Sequence, residues 1–323
     1  MKSKEKTPPP LKRFRYFVEA AALRTIARAV PLLPLRAIPV VARALSWLAY
    51  VILAHDRKVA MANLQVVFGD SLSAIHKRRL ARRAFRNFAE AVLGLFWSPR
   101  ITPELIDKFV EIQGLEHIQA ARSAGRGIVI CSSHYGNWEL GTLILGFKGV
   151  PLTMVTEPTR NPSIEALITR LRTASGHRAV HPRFALIKLF RAISRGEAVG
   201  MLVDVNGRRG RGGVWLDFLG LPVFNSHAIA EMALRANAAV FFVWGEPLPG
   251  FRWRMFISPE IQQEPTGGRD SDVKALSQKC LNQSAKLVRE HPELWLWTYK
   301  RWKRRPTEEK GRYPFYSKYS MRT

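Results

Sequence analysis

His134 and Glu139 stand five residues apart in the run Ser132-Ser133-His134-Tyr135-Gly136-Asn137-Trp138-Glu139. An imidazole that donates one N–H to a carboxylate is fixed in a single tautomer, and its other nitrogen is then free to take a proton from a hydroxyl. On a regular helix, five residues turn the chain by roughly 500°, which leaves the two side chains on different faces. They can meet only across a turn. Gly136 and Asn137 supply turn chemistry, and a helix beginning near Asn137 would carry Glu139 in its first turn. His134 is therefore a candidate general base and Glu139 its candidate orienting partner. The spacing also arises by chance in a chain with eight histidines and 25 acidic residues, and a histidine that merely caps the helix fits these residues equally well.

The residues before this run explain why its position carries information. Ile128-Val129-Ile130-Cys131 follows Gly125 and Gly127 and reads as a buried parallel strand. His134 thus lies just past a strand's carboxyl end, where open α/β sheets bind ligands. Apolar runs recur at 150–155, 198–203 and 238–243, separated by helical patterns at 164–173 and 185–193. A short strand and helix precede them over 109–124, a late strand covers 253–257, and a long helix covers 272–290. Strands alternating with helices predict an α/β fold with a mixed, mostly parallel central sheet flanked by helices. Cys131, inside an apolar strand, is a poor nucleophile because burial raises a thiol's pKa.

Composition narrows the partners. Lys and Arg number 51 against 25 acidic residues, a net charge of +26, which favours nucleic acid, phosphate-bearing lipid or an acidic carrier protein. Two cysteines support neither a disulfide framework nor a four-cysteine zinc site, and a reducing compartment follows. Residues 1–15 read as a flexible basic arm. Residues 16–56 are apolar but interrupted by Arg24, Arg28, Arg36 and Arg43 and by Pro31, Pro34 and Pro39. The expectation is a set of amphipathic helices lying at an anionic membrane face, with the uninterrupted part, 44–54, entering one leaflet. A helical hairpin packed on the body is the alternative. Residues 57–305 form the main domain, including a second basic run, His76-Lys77-Arg78-Arg79 with Arg82, Arg83 and Arg86, and 306–323 form a basic tail.

The block from Gly127 to Gly146 resembles the acyltransferase signature of the bacterial lipid A biosynthesis lauroyl and myristoyl transferases, within the lysophospholipid acyltransferase-like superfamily, which implies a glycerolipid acyltransferase-like fold. Further stretches match in order: Asn161-Pro162 with Arg172-Thr173-Ala174-Ser175-Gly176; Asp204, a Gly-rich loop and Val214-Trp215-Leu216-Asp217-Phe218-Leu219-Gly220; and His291-Pro292-Glu293-Leu294-Trp295-Leu296-Trp297 with Arg301-Trp302-Lys303. Val205 stands where the family usually has glutamine, and Tyr299 where it usually has histidine. The resemblance implies transfer of a fatty acyl chain from an acyl carrier protein thioester to a hydroxyl of an anionic membrane glycolipid, at the cytoplasmic face of the inner membrane. It implies no cofactor and no metal. His134 and Glu139 are carried over as the catalytic pair, with Arg172, Asn137 and Asp204 as substrate-binding residues. The stretch 140–145 can line an acyl pocket or pack as core. Two rivals stay open: acyl transfer to phospholipid or aminolipid acceptors, and a basic nucleic-acid-binding protein, suggested by Gly207-Arg208-Arg209-Gly210-Arg211-Gly212-Gly213. The acyltransferase reading itself expects no nucleic-acid partner.

Overall fold

The computed structural model describes residues 9–207, 212–249, 252–309 and 312–319. Five helices come first: α1 (Pro10–Ala29), α2 (Ile38–Ile52), α3 (Ala54–Phe68), α4 (Ala74–Trp97) and α5 (Pro103–Phe109). The layered part follows as β1 (Val110–Gln113), α6 (Leu115–Ser123), β2 (Ile128–Ser132), α7 (Trp138–Phe147), β3 (Leu152–Val155), α8 (Pro162–Arg172), β4 (Arg178–Val180), α9 (Ala185–Ser194) and β5 (Ala198–Leu202). A hairpin, β6 (Val214–Phe218) and β7 (Leu221–Asn225), leads to α10 (Ala228–Arg235), β8 (Ala239–Leu248), β9 (Arg252–Ile257) and α11 (Arg269–Glu290). The strand pair β10 (Arg304–Arg305) and β11 (Lys318–Tyr319) closes the chain.

Seven strands form one sheet in the order β1-β9-β8-β2-β5-β3-β4. All neighbours run parallel except β8 and β9. This is the mixed, mostly parallel sheet that the apolar runs predict. Alternate residues of the central strands face opposite layers, as the two-residue period requires. Val129, Cys131, Val199 and Phe242 pack with α9, α10, α11 and the hairpin. Ile128, Ile130, Phe241 and Val243 pack with α6 and α7. A third cluster joins α2, α4, α7 and α8 through Ile38, Ala42, Phe96, Leu143 and Leu167.

The N-terminal region differs from the expectation in two ways. Pro10 opens α1 at its first turn, so residues 10–15 of the expected arm are helical, while residues 1–8 lie outside the described residues. Pro39 does not break a helix: it sits in the first turn of α2, where its missing N–H costs nothing. The helical run Leu35–Ile52 therefore spans 18 residues with mean hydropathy 1.5. At ~1.5 Å per residue it reaches roughly 27 Å, close to the ~30 Å hydrocarbon core. It is long and apolar enough to cross a bilayer, more than the half-depth reach that 44–54 suggested. One stripe of it, Ile38, Ala42 and Ser46, is nonetheless buried on the body, while Trp47, Leu48, Val51 and Ile52 are exposed. The described part of the basic tail also folds back, with Tyr313 Oη donating to the Pro222 carbonyl at 2.8 Å and Tyr316 Oη to the Asn63 side chain.

Candidate active site

Sheet register builds the centre of the site. β2 and β5 are parallel neighbours with Ser132 opposite Leu202. His134 and Asp204 each lie two residues beyond that pair, so the two chains leave the sheet side by side and deliver an imidazole next to a carboxylate. Asp204 Oδ1 lies 3.0 Å from His134 Nδ1, and Oδ2 accepts the His134 backbone N–H at 2.9 Å. Trp295 Nε1 donates to the same Oδ2 at 2.9 Å. Asp204 is wholly buried, whereas the His134 side chain keeps 18% of its surface exposed. Burial pushes the Asp204 carboxyl up, but the adjacent imidazole and the three hydrogen bonds outweigh it and hold the group below its ordinary value. Nε2 makes no hydrogen bond among the described residues.

The loop after β2 is shaped around this pair. Gly136 turns with φ +58°, and a Cβ there would sit 2.3 Å from the Gly245 carbonyl oxygen, so only glycine fits. The closing segment runs alongside: Leu296 N–H donates to the His134 carbonyl at 3.0 Å and Gly136 N–H to the Leu294 carbonyl at 2.9 Å. The imidazole ring stands edge-on to Trp138 at 5.1 Å and stacks on Tyr299 at 5.8 Å. Tyr299 Oη in turn accepts from the Asn206 backbone and side chain, both at 3.0 Å.

The structure places Glu139 elsewhere than the expected imidazole contact. It occupies the first turn of α7, as anticipated, but its carboxylate is gripped by Arg172 at the end of α8. Arg172 Nε donates to Oε2 at 2.9 Å and Nη2 donates to Oε1, a two-pronged pair. The carboxylate that lies against His134 is Asp204, which the family resemblance assigns to substrate binding. Asn137, expected at the substrate, makes its hydrogen bonds within the fold. Its Oδ1 caps α7 by accepting Leu140 N–H at 3.1 Å, and its Nδ2 donates to the Glu90 carbonyl at 3.3 Å. Both ends of that buried amide are thus used within the fold.

Trp295, Tyr299 and Arg301 of the closing segment surround the pair, contacts that the motif alone does not reveal, and Arg301 is wholly buried. Arg301 Nη2 donates to Asn225 Oδ1 at 2.7 Å, its guanidinium lies 5.1 Å over Phe218, and Nε and Nη1 have no partner among the described residues. Burial pushes its pKa down to about 10, opposed by the negative charge of Asp204. Arg301→Ala removes the donor to the buried Asn225 oxygen and is expected to cost roughly 1–3 kcal/mol, read as a lowered unfolding midpoint in detergent, whereas no loss would show that this contact does not support the fold.

Other chemistry is accounted for by burial. The neighbouring Cys280 thiol and burial together push the Cys131 thiol well above its ordinary value, which suits a core residue and not a nucleophile. Among the described residues, no three His, Cys, Asp or Glu side chains converge as a metal site. An apolar crevice beside α7 is lined by Leu140 and Ile144 together with Ile38, Gly94, Trp97 and Leu105. Of the Arg-Gly loop, Arg208 to Arg211 lie outside the described residues.

The sequence matches the family described as bacterial lipid A biosynthesis acyltransferase over residues 7–304. A lipid A biosynthesis palmitoleoyltransferase from Escherichia coli K12 is 25% identical over 268 residues, covering 81% of this chain and 83% of the relative. The lipid A biosynthesis lauroyltransferase of the same organism is 24% identical over 265 residues, 79% of this chain and 82% of the relative. A phosphatidylinositol mannoside acyltransferase from Mycolicibacterium smegmatis is 24% identical over 231 residues, 69% and 72% of the two chains. The family match spans the N-terminal helices, the sheet and the closing segment that bonds to Asp204. The chain belongs to the bacterial lipid A biosynthesis acyltransferase family.

Proposed function

We propose that this protein transfers a fatty acyl chain from an acyl carrier protein thioester to a hydroxyl of a lipid A precursor or related membrane glycolipid, with His134 as general base. One observation carries the mechanism: Asp204 holds Nδ1 while Nε2 has no hydrogen-bond partner among the described residues. With Nδ1–H donated to the carboxylate, Nε2 carries the lone pair. It takes the proton of the acceptor hydroxyl as that oxygen bonds to the thioester carbonyl carbon. The tetrahedral intermediate then collapses, the C–S bond breaks, and the imidazolium returns the proton to the departing thiolate. Asp204 stays ionised throughout and stabilises the imidazolium, the role its depressed pKa fits. A thioester is activated enough for this route to need no cofactor.

Glu139, in the first turn of α7 and five residues past His134, is paired with Arg172 at the end of α8, whose side chain is 31% exposed. We assign it the placement of the anionic acceptor: Glu139 fixes the guanidinium, and the remaining N–H groups face a phosphate. The surplus of basic residues suits an acidic carrier and anionic head groups, and we assign it to these and not to nucleic acid. Location at the cytoplasmic face of the inner membrane follows from the same donor and acceptor. Because relatives named for phosphatidylinositol mannoside fall in the same range of identity as those named for lipid A, a different glycolipid or phospholipid acceptor is the second reading.

The test is mass spectrometry of lipids after purified protein is incubated with acyl carrier protein thioesters and a lipid A precursor. Wild type should add one acyl mass and His134→Ala should not. Equal gain by both would remove His134 from the mechanism, and no gain by either would direct the assay to other acceptors. The apolar crevice is the proposed acyl pocket. Filling it with Leu140→Phe is expected to shift the preferred donor to a shorter chain by one or two methylenes, each worth about 0.8 kcal/mol of burial. Competition between donors of different length reads the shift, and an unchanged preference would place the acyl chain elsewhere.

A further inference from the structure

We propose that α9 is a second membrane foot, separate from the N-terminal helices, that seats the open end of the sheet on an anionic lipid surface. Leu186, Ile187 and Phe190 are 51%, 59% and 36% exposed, while Ala185, Leu189, Ala192 and Ile193 of the same helix are buried against the sheet. At about 100° per residue the exposed trio fills one continuous sector roughly 100° wide. Arg191 and Lys188 follow next around the helix, and no carboxylate among the described residues pairs with either. A solvated helix face has no use for three adjoining large apolar side chains. Apolar residues bordered by cations are what an interfacial helix presents to anionic head groups.

Topology gives the foot its place. β2, β3, β4 and β5 are parallel, so their carboxyl ends lie together at the end of the sheet that carries His134 and Asp204. α9 starts five residues after β4 and runs back to feed β5, which puts Leu186 and Ile187, in its first turn, at that same end. The N-terminal helices reach this end as well. Asn161, at the start of α8 and past the carboxyl end of β3, donates to the Tyr16 carbonyl of α1 at 2.9 Å. Phe14, Phe17 and Val18 around that contact are exposed. Two apolar feet on different parts of the chain thus flank the end where the imidazole opens. A bilayer touching both meets the site mouth directly, and a lipid hydroxyl can reach Nε2 while its acyl chains stay in the membrane. The inference rests on the membrane-lipid reading proposed above.

The two native cysteines are buried, so a surface cysteine can be labelled selectively. Full-length Ile187→Cys, carrying an environment-sensitive fluorophore, is mixed with vesicles rich in phosphatidylglycerol, with Phe17→Cys labelled in parallel. The expected result is a blue shift at residue 187 and quenching by a nitroxide carried on the lipid acyl chain. Lys188→Gln with Arg191→Gln should weaken binding to these vesicles by roughly thirtyfold and leave binding to uncharged vesicles far less affected. A response at residue 17 alone would overturn the second foot and leave the membrane reading intact. Silence at both positions would overturn both. A blue shift without vesicles, insensitive to the lipid quencher, would mean that another protein chain covers α9 and would also overturn the proposal.

Discussion

Asp204→Asn should lower kcat by about 10⁴-fold with little change in KM, because an amide in place of the carboxylate selects the wrong imidazole tautomer. The carboxylate now accepts from Nδ1–H, the backbone N–H of His134 and the Trp295 indole. An asparagine oxygen can serve the two fixed donors, but its NH₂ then faces Nδ1 and drives the proton to Nε2. His134 becomes a donor toward the very oxygen it must deprotonate. His134→Ala and the double variant should fall to the same residual rate, since the two groups act as one unit. A decrease of less than about tenfold in Asp204→Asn would show that Asp204 does not set the tautomer of His134. The sign of the stability effect follows from the depressed pKa. A carboxyl held below its ordinary 3.8 stabilises the fold above that range, and the contribution is lost as pH falls through the folded value. The stability gap between wild type and Asp204→Asn, measured by thermal unfolding in detergent, should therefore narrow as pH drops below 3.8.

The asymmetry between what the sequence made legible and what it hid has a geometric origin. His134 was visible because local signals agree there: a strand of apolar residues, a glycine turn and an asparagine cap place it at the sheet's carboxyl edge. Its partner was hidden because Asp204 is 70 residues downstream and meets it only through the β2–β5 pairing, in which the intervening β3 lies beyond β5. Composition and period say nothing about strand order. Glu139 was the nearer carboxylate in the chain, and only the position of α8 shows that Arg172 claims it. Pro39 was misread for a similar reason, since a proline breaks a helix interior and starts a helix end, and the sequence does not say which position it holds. The hairpin β6–β7 was invisible as a turn because Leu219, a residue that rarely adopts it, takes φ +58° ahead of Gly220 at +85°.

Arg172→Ala should be more damaging than the double variant Arg172→Ala with Glu139→Gln. In the native protein the guanidinium bonds both oxygens of a carboxylate whose side chain is only 11% exposed. Removing Arg172 alone strands that carboxylate with little access to water, and breaking a buried pair from one side costs roughly 3–5 kcal/mol. The 31% exposure of Arg172 lets some water in, so the lower end of that range applies. Neutralising Glu139 in the same protein removes the stranded charge and should restore much of the unfolding midpoint. Catalysis should behave differently. If the pair positions an anionic acceptor, Glu139→Gln retains the cation and mainly raises KM, while both variants lacking Arg172 lose kcat/KM together, and restored stability brings no restored turnover. Recovery of activity along with stability in the double variant would make the pair a brace between α7 and α8 with no part in substrate binding. The comparison separates the two because stability responds to the unpaired charge, whereas acceptor placement responds to the missing guanidinium.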